Sequence, residues 1–326
     1  MERWGWTVQL ILDVLPDILK LWKNVLPSIF VGCFLGNLFH NTVFLHRLGR
    51  GMHPLARLGH LPAGCATSLT LCLVDRIAAY TMLAELKNTG VIRAREVVVS
   101  YLVSALPTGL YFTIFFFSPA VIASLGCRTG AIYLGIYLGI NLMISAVGLL
   151  LGRLLLPRPD RTQEWLDQSR ETVHTSWRDK LIAEARRTIP SFCRLAVVFI
   201  PVTFLISILL HTELVHQILR QIDPILRCLG LPGPVLFVIT TGVMSMIVAI
   251  GTLGPILQAG LVTPAEAVTA LLVTSVLHYL YEFWSGGLPT NISIFGPKLG
   301  GKVSLAALLV RECATCLALG LMVLLH

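Results

Sequence analysis

Apolar residues run along this chain in stretches long enough to cross a membrane. Residues 195–210 with their flanks form one stretch, and residues 304–325, apart from Arg311 and Glu312, form another. A helix needs about 20 consecutive apolar residues to span the hydrocarbon core of a bilayer, so these stretches predict transmembrane helices. The pattern therefore predicts an all-α polytopic membrane protein, with the lipid bilayer as its main surroundings.

Composition agrees with this class and excludes others. The chain is 55% hydrophobic and 13% charged, whereas soluble domains average about 25% charged residues. The net charge of +8 does not indicate a nucleic-acid partner, because Lys and Arg mark the cytoplasmic loops of membrane proteins. No P-loop, HExxH or GxSxG motif is found. We therefore expect neither an enzyme nor a cofactor.

The sequence repeats itself at a spacing of 170 residues, without a gap. The matching residues of the first copy are Thr42, His46, Arg50, Pro54, Arg57, Pro62, Gly90, Glu96, Tyr111, Pro119, Gly126 and Gly130. Prolines and glycines are prominent because they fix breaks in the backbone. The repeat predicts two copies of one unit, residues 1–155 and 189–326. They are joined by a polar linker, residues 156–188, which ends in an amphipathic helix.

Each copy is predicted to hold an interfacial helix, about three crossing helices and one hairpin, at residues 62–86 and 232–257. Residues 152–194 carry nine Lys or Arg, which places the linker in the cytoplasm. Basic loops flank residues 62–86 on both sides. Both loops lie in the cytoplasm only if the hairpin enters and leaves the membrane from the cytoplasmic side. Three crossings per copy then invert the second copy and place the C-terminus outside the inner membrane. Inverted repeats with broken helices are typical of secondary transporters.

The first hairpin carries two adjacent charges, Asp75 and Arg76, at its predicted tip. A charge at membrane depth costs several kcal/mol unless it is paired or solvated. The pair is therefore a contact for substrate or ion, or an internal salt bridge that pins the hairpin to a neighbouring helix. The tip of the second hairpin has no charge, and its candidate binding residues are Thr240, Thr241, Gly242 and Ser245.

A second polar cluster lies where a helix of the second copy is expected to break. Its members are His278, Tyr281, Glu282, Ser285 and Asn291. The run of Ser, Gly and Pro at residues 285–289 predicts a broken helix with free carbonyls that bind a cation or substrate. The first copy has Phe112 and Val121 in place of Glu282 and Asn291, which favours a functional role. An ordinary interhelical hydrogen bond is the alternative for His278.

A third cluster lies within the last apolar stretch. Arg311 and Glu312 are candidates to pair with Asp75 or Glu282. Cys313 and Cys316 form a CxxC that suits a metal, although small residues one turn apart on a packed helix explain them better. Glu96 and Glu266 recur in both copies, and we interpret both as helix starts, with Thr263 as the N-cap residue before Glu266.

The two hairpin sequences resemble a known domain. Residues 61–98, LPAGCATSLTLCLVDRIAAYTMLAELKNTGVIRAREVV, and residues 229–268, LGLPGPVLFVITTGVMSMIVAIGTLGPILQAGLVTPAEAV, look like the nucleoside recognition, or Gate, domain. Such domains occur in concentrative nucleoside transporters, in the membrane part of ferrous iron transporter B, and in spore maturation proteins A and B. The resemblance implies a membrane fold and a transport-related role. A nucleoside permease or a metal-ion permease is one such hypothesis.

The sequence as a whole predicts a secondary-active transporter of a small polar or charged solute. Asp75 or Glu282 would take a coupling proton or cation, and Arg76 or Arg311 would counter an anionic group. The alternative is a non-transporting scaffold or half-complex, in which all charges pair off and leave no cavity. A channel is a third hypothesis. The expected assembly is a homo-oligomer or a pair with another membrane subunit.

Overall fold

The computed structural model describes residues 52–73, 75–157 and 231–324, together with isolated positions between residues 15 and 30 and between residues 189 and 204. Every regular element in these ranges is helical, which confirms the all-α class. Three described helical stretches, Ala94–Leu155, Pro264–Phe295 and Pro297–Leu324, are long and apolar enough to cross a membrane. The predicted interfacial helix, the linker and the first crossing helix of each copy lie almost wholly outside the described residues.

Eleven α-helices are described, and we number them in chain order. They are α1 (Met52–Leu58), α2 (Ala63–Leu71), α3 (Arg76–Asn88), α4 (Ala94–Val103), α5 (Ala105–Phe112), α6 (Ser118–Leu155), α7 (Val235–Met244), α8 (Met246–Gln258), α9 (Pro264–Glu282), α10 (Leu288–Phe295) and α11 (Pro297–Leu324). Two π-helical segments, Thr113–Phe117 and Phe283–Gly287, join α5 to α6 and α9 to α10.

The backbone repeats in the register that the sequence repeat predicts. The two π-helical segments are 170 residues apart. Gly126 and Gly296 are equivalent in the same register, and their φ angles of 78° and 80° lie in the left-handed region, where glycine has no steric penalty. The two copies therefore share their local structure, while their inversion across the membrane stays a prediction.

Each copy contains a helical hairpin at the predicted place. Helices α2 and α3 are separated by residues 72–75, and Ser68 Oγ donates a hydrogen bond of 2.9 Å to the Ala79 carbonyl across the hairpin. Helices α7 and α8 meet at Ser245, and the hydroxyls of Thr241 and Thr252 lie 3.4 Å apart. The sequence therefore locates both hairpins, and their re-entry into the membrane stays a prediction.

The chain from Ala94 to Leu155 doubles back at Gly126, so that α4 and α5 pack on α6. Pro107 has no N–H and leaves the carbonyl of Val103, four residues earlier, without its helical partner. Ser145 Oγ of α6 donates to that carbonyl at 2.7 Å and accepts from Leu106 N at 2.9 Å. One hydroxyl thus satisfies two backbone groups that lipid could not satisfy.

The starts of α4 and α9 follow the predicted capping pattern. The Glu266 carboxylate accepts from Thr263 N at 2.6 Å, and Glu266 N donates to Thr263 Oγ1. Glu96 accepts from Arg93 N at 2.5 Å in the same way. Because these bonds satisfy N–H groups that a helix start leaves free, the structural interpretation of both glutamates is confirmed.

Two hydrophobic cores each combine residues of both copies. One joins α1–α4 to the second copy through Phe295, Leu299 and Val303. The other joins α7–α9 to α6 of the first copy, where Tyr133 and Ile140 are among the buried residues. Each hairpin therefore packs against helices of both copies, and the space between the two cores holds the candidate site.

Candidate functional site

A cavity of about 320 Å³ lies between the two copies. Its wall includes α3 of the first hairpin, the middle of α6, and α9 to α11 of the second copy. The charged, imidazole and amide side chains in the wall are Arg76, Asn141, His278, Glu282, Asn291 and Arg311. Sites for small molecules usually measure about 300–1,000 Å³ and combine apolar walls with a few polar groups, so this cavity suits a small solute.

One ion pair joins the two copies at this cavity. Arg76 Nη1 of α3 lies 4.0 Å from Glu282 Oε1 at the end of α9. Both side chains are about half exposed, at 47% and 44%, so neither is locked in a dry core. The sequence predicted both residues as site candidates. It also left open a salt bridge from the first hairpin to a neighbouring helix, and Glu282 is the partner of Arg76 in the structure.

Arg311 packs on an aromatic ring instead of a carboxylate. Its guanidinium carbon lies 4.7 Å from the centroid of the Tyr279 ring, a cation–π distance. Arg311 stands near the middle of the 28-residue helix α11. Arg311 has no carboxylate oxygen of Asp75 or Glu282 within 4.0 Å in the described structure, so the expected ion pair is not formed there.

Asn291 organises a buried polar network in the cavity wall. Its Nδ2 donates to Tyr101 Oη of α4 at 3.0 Å and to Ser304 Oγ of α11 at 2.9 Å. Asn291 is 3% exposed. Sequence reasoning found Asn291 but missed Tyr101 and Ser304, since single polar residues in long apolar helices give no signal of their own.

His278 links α9 to the second hairpin. Its Nδ1 lies 3.0 Å from the carbonyl oxygen of Val243, in the last turn of α7, where carbonyls have no helical partner. The contact is the interhelical hydrogen bond that the sequence analysis gave as the alternative to a solute-binding role for His278. His278 also lines the cavity, so it holds the hairpin end beside the candidate site.

Asp75 caps a helix and does not line the cavity. Its Oδ1 accepts hydrogen bonds from Ile77 N at 2.8 Å and Ala78 N at 3.1 Å, at the start of α3. Such bonds satisfy N–H groups that a helix start leaves free. The expectation that Asp75 shares the cavity with Arg76 is therefore corrected, because the carboxylate is turned back onto its own helix.

The polar tip of the second hairpin also lies outside the cavity wall. Thr240 and Thr241 donate to helix carbonyls within α7. A side chain at Gly242 would collide with Thr274, so this glycine serves close packing. Ser245 is the extended residue between α7 and α8. The residue that lines the cavity at the position equivalent to Arg76 is Met246.

The run at residues 285–289 does not break the helix, which corrects the prediction of free carbonyls there. The chain forms the π-helical segment instead, and Leu288 N donates to the carbonyl of Phe283, five residues earlier. The wider turn accommodates Pro289, which has no N–H to donate. Tyr281 and Ser285 lie outside the cavity wall, whereas Gly286 and Gly287 contribute to it. Single π-helical turns are frequent at functional sites.

The remaining candidates on α11 lie outside the cavity wall. Both Glu312 carboxylate oxygens are buried without a hydrogen-bond partner in the described structure. Cys313 and Cys316 are exposed free thiols. Within the described ranges, no group of three or more His, Cys, Asp or Glu side chains is placed to hold a metal ion.

Comparison with known proteins finds one similar domain and several similar chains. Residues 192–298 match the Gate domain, described as nucleoside recognition. The chain is similar to three proteins of Methanocaldococcus jannaschii that carry the name uncharacterized protein. MJ0871 is 26% identical over 83% of each chain, MJ0880 is 22% identical over 90% of this chain and 93% of the relative, and MJ1556 is 24% identical over 90% and 91%.

No solved structure matches the chain significantly. The domain match begins before the second hairpin and ends just after α10, so it includes Glu282 and Asn291 of the cavity wall. Together with the apolar helices, it indicates a transport-related role in a membrane. Residues 192–298 of this helical protein are thus similar to the Gate domain, described as nucleoside recognition.

Proposed function

We propose that this protein is a secondary-active transporter of a small polar or charged solute, which binds in the cavity between the two hairpins. A gradient of protons or cations drives the transport, and Glu282 is the carboxylate in the cavity wall that takes the coupling ion. The observation that carries the proposal is the cavity itself, whose wall combines charged residues from both copies.

The depth of the charges supports a solute site. Arg311 stands near the centre of a helix long enough to span the membrane. Ionisable residues inside transmembrane segments are expensive, and they mark substrate or ion pathways by default. In secondary transporters the site lies near the midplane, where two repeats meet. The position of this cavity between the copies fits that arrangement.

The polarity of the cavity is asymmetric although the backbone repeats. In the 170-residue register, Arg76 is equivalent to Met246, Glu282 to Phe112, and Arg311 to Asn141, and all six line the cavity. Each charge is therefore present in only one copy. A structural requirement of the repeat would keep these charges in both copies, whereas a site for one polar solute uses them once.

The scaffold alternative predicts that all charges pair off and that no cavity remains. The cavity and the position of Arg311, which has no carboxylate within 4.0 Å in the described structure, favour transport over this alternative. A nucleoside permease is the second candidate, and the description of the matching domain favours it. A metal-ion permease has no comparable support from the described side chains.

The membrane arrangement belongs to the same proposal. The protein lies in the inner membrane with the linker in the cytoplasm and the C-terminus outside, and its two copies are inverted. It works as a homo-oligomer or paired with another membrane subunit. The basic residues at positions 152–194 support this orientation.

Uptake into proteoliposomes tests the function. Purified protein is reconstituted, and radiolabelled nucleosides, organic acids, amino acids and divalent cations are supplied with and without an inward proton or sodium gradient. The proposal expects gradient-dependent accumulation of one solute class, and loss of that accumulation in the Glu282→Gln variant. Lys298→Gln, which changes an exposed charge outside the cavity wall, is the matched control. Absence of gradient-dependent uptake for every class, or full uptake by Glu282→Gln, would contradict the proposal.

A further inference from the structure

The charges in the cavity wall do not balance. Arg76 and Glu282 face each other at 4.0 Å, so that their charges offset one another. Arg311 is the third charged residue of the wall, and in the described structure no carboxylate lies within 4.0 Å of it. The wall therefore carries two guanidinium groups and one carboxylate, so its formal charge is positive.

Two hydroxyls of the cavity wall also have hydrogen atoms to donate. Tyr101 Oη and Ser304 Oγ each accept a hydrogen bond from Asn291 Nδ2. A hydroxyl that accepts such a bond keeps its own hydrogen for another acceptor. Ser304 and Arg311 lie two turns apart on α11, on the face that lines the cavity. The wall thus presents two hydroxyl donors in addition to its excess of positive charge.

Aromatic side chains form much of the remaining wall. Tyr279 lies beneath the Arg311 guanidinium at 4.7 Å, and Tyr133, Tyr137 and Phe117 also line the cavity. Rings of this kind bind flat or apolar surfaces. The wall therefore has a cationic, donor-rich part at Arg311 and an aromatic part next to it.

We propose that the cavity binds a small organic anion, whose carboxylate or equivalent anionic group is held by Arg311 and whose ring or apolar body lies against the aromatic part. Arg is suited to this role because its planar guanidinium binds a carboxylate through two parallel hydrogen bonds. The inference deepens the proposed function and rests on it, since it takes the transport cavity as the solute site.

Three ligands of one shape test the charge. Benzoate, benzamide and benzamidine share a ring and a planar head group, and they are negative, neutral and positive. Binding to purified full-length protein in nanodiscs is measured by calorimetry. We expect benzoate to bind at least about tenfold more tightly than benzamide, the difference that one charged hydrogen-bonding contact gives, and benzamidine to bind most weakly. Equal binding, no binding of benzoate, or a preference for benzamide or benzamidine would overturn the anion site.

Variants assign the preference to Arg311. Arg311→Gln is expected to remove the preference for benzoate, whereas Arg311→Lys keeps part of it. Lys302→Gln, an exposed change on the same helix outside the cavity wall, keeps all of it. An unchanged preference in Arg311→Gln would overturn the assignment. If Arg311→Gln does not fold, the comparison of benzoate, benzamide and benzamidine on the unaltered protein still tests whether the cavity prefers an anion.

Binding and uptake separate this inference from the proposed function. If the protein prefers benzoate but accumulates no solute under any gradient, the transport proposal is contradicted and the anion-site proposal stands. If the protein accumulates a neutral or cationic solute and shows no preference for benzoate, the anion-site proposal is contradicted and the transport proposal stands.

Discussion

Arg76 and Glu282 lie 4.0 Å apart, although the first begins α3 in the hairpin of one copy and the second ends α9 in the other copy. The ion pair thus connects the two halves at the wall of the shared cavity. Glu282 directly precedes the π-helical segment Phe283–Gly287. A rearrangement of one copy against the other, such as alternating access requires, changes this distance.

Neutralising either member of the pair is expected to abolish uptake while the protein stays folded. Half-exposed ion pairs contribute about 0–1 kcal/mol to stability, so Arg76→Gln and Glu282→Gln should melt close to the unaltered protein in detergent. The exchanged variant Arg76→Glu with Glu282→Arg should regain part of the uptake that each single variant loses. Full uptake by either single variant would show that the pair has no part in transport.

Asp75 should tolerate replacement by Asn but not by Ala. Asn keeps an oxygen that accepts from Ile77 N and Ala78 N, so Asp75→Asn is expected to keep uptake and stability. Asp75→Ala removes the helix cap and should lower the free energy of unfolding by about 1 kcal/mol. Thermal unfolding of the two variants measures the difference. Loss of uptake in a stable Asp75→Asn variant would show that Asp75 does contribute to the solute site.

Ser145→Ala should destabilise the protein through the backbone of α4. The Val103 carbonyl would lose the hydroxyl that replaces its helical partner, which costs about 1–3 kcal/mol for a buried group. In the double variant Pro107→Ala with Ser145→Ala, residue 107 has an N–H that can donate to Val103. Thermal unfolding should therefore find the double variant more stable than Ser145→Ala. The reverse order would contradict this account of the helix interruption at Ser104.

Cysteine labelling in intact cells tests the membrane arrangement. If the first hairpin is re-entrant, cysteines placed at Arg57 and Lys87 on either side of it are protected together from an impermeant reagent. A cysteine at His326 should react, because inverted copies place the C-terminus outside. Labels on opposite sides for residues 57 and 87 would make the hairpin an ordinary crossing and the copies parallel.

The sequence predicts local features that recur in one register. Proline restricts the backbone and glycine permits positive φ angles, so the matched positions located both hairpins and the turns at Gly126 and Gly296. The capping boxes at Glu96 and Glu266 were predictable for the same reason, since a cap involves residues only three apart.

Contacts between the copies were not predictable in the same way. The hydrogen bond from Asn291 to Tyr101 joins residues 190 positions apart, and nothing near either residue indicates the other. Asp75 was misassigned because a buried acid and a helix cap look alike in sequence. Only the fold shows that its carboxylate turns to Ile77 N and Ala78 N while Arg76 turns to Glu282.

The central claim is that one cavity receives a solute from both sides of the membrane, and labelling of Ala307 tests it most directly. Ala307 lines the cavity, while Leu309, two residues along α11, is 57% exposed on the outer surface of the described structure. Each is replaced by Cys in protein whose native cysteines are removed, and right-side-out and inside-out vesicles are treated with a hydrophilic, impermeant thiol reagent. We predict that Ala307→Cys reacts from both sides and that the transported solute protects it, whereas Leu309→Cys does not react. Reaction of Ala307→Cys from one side only, or from neither, would contradict alternating access to this cavity.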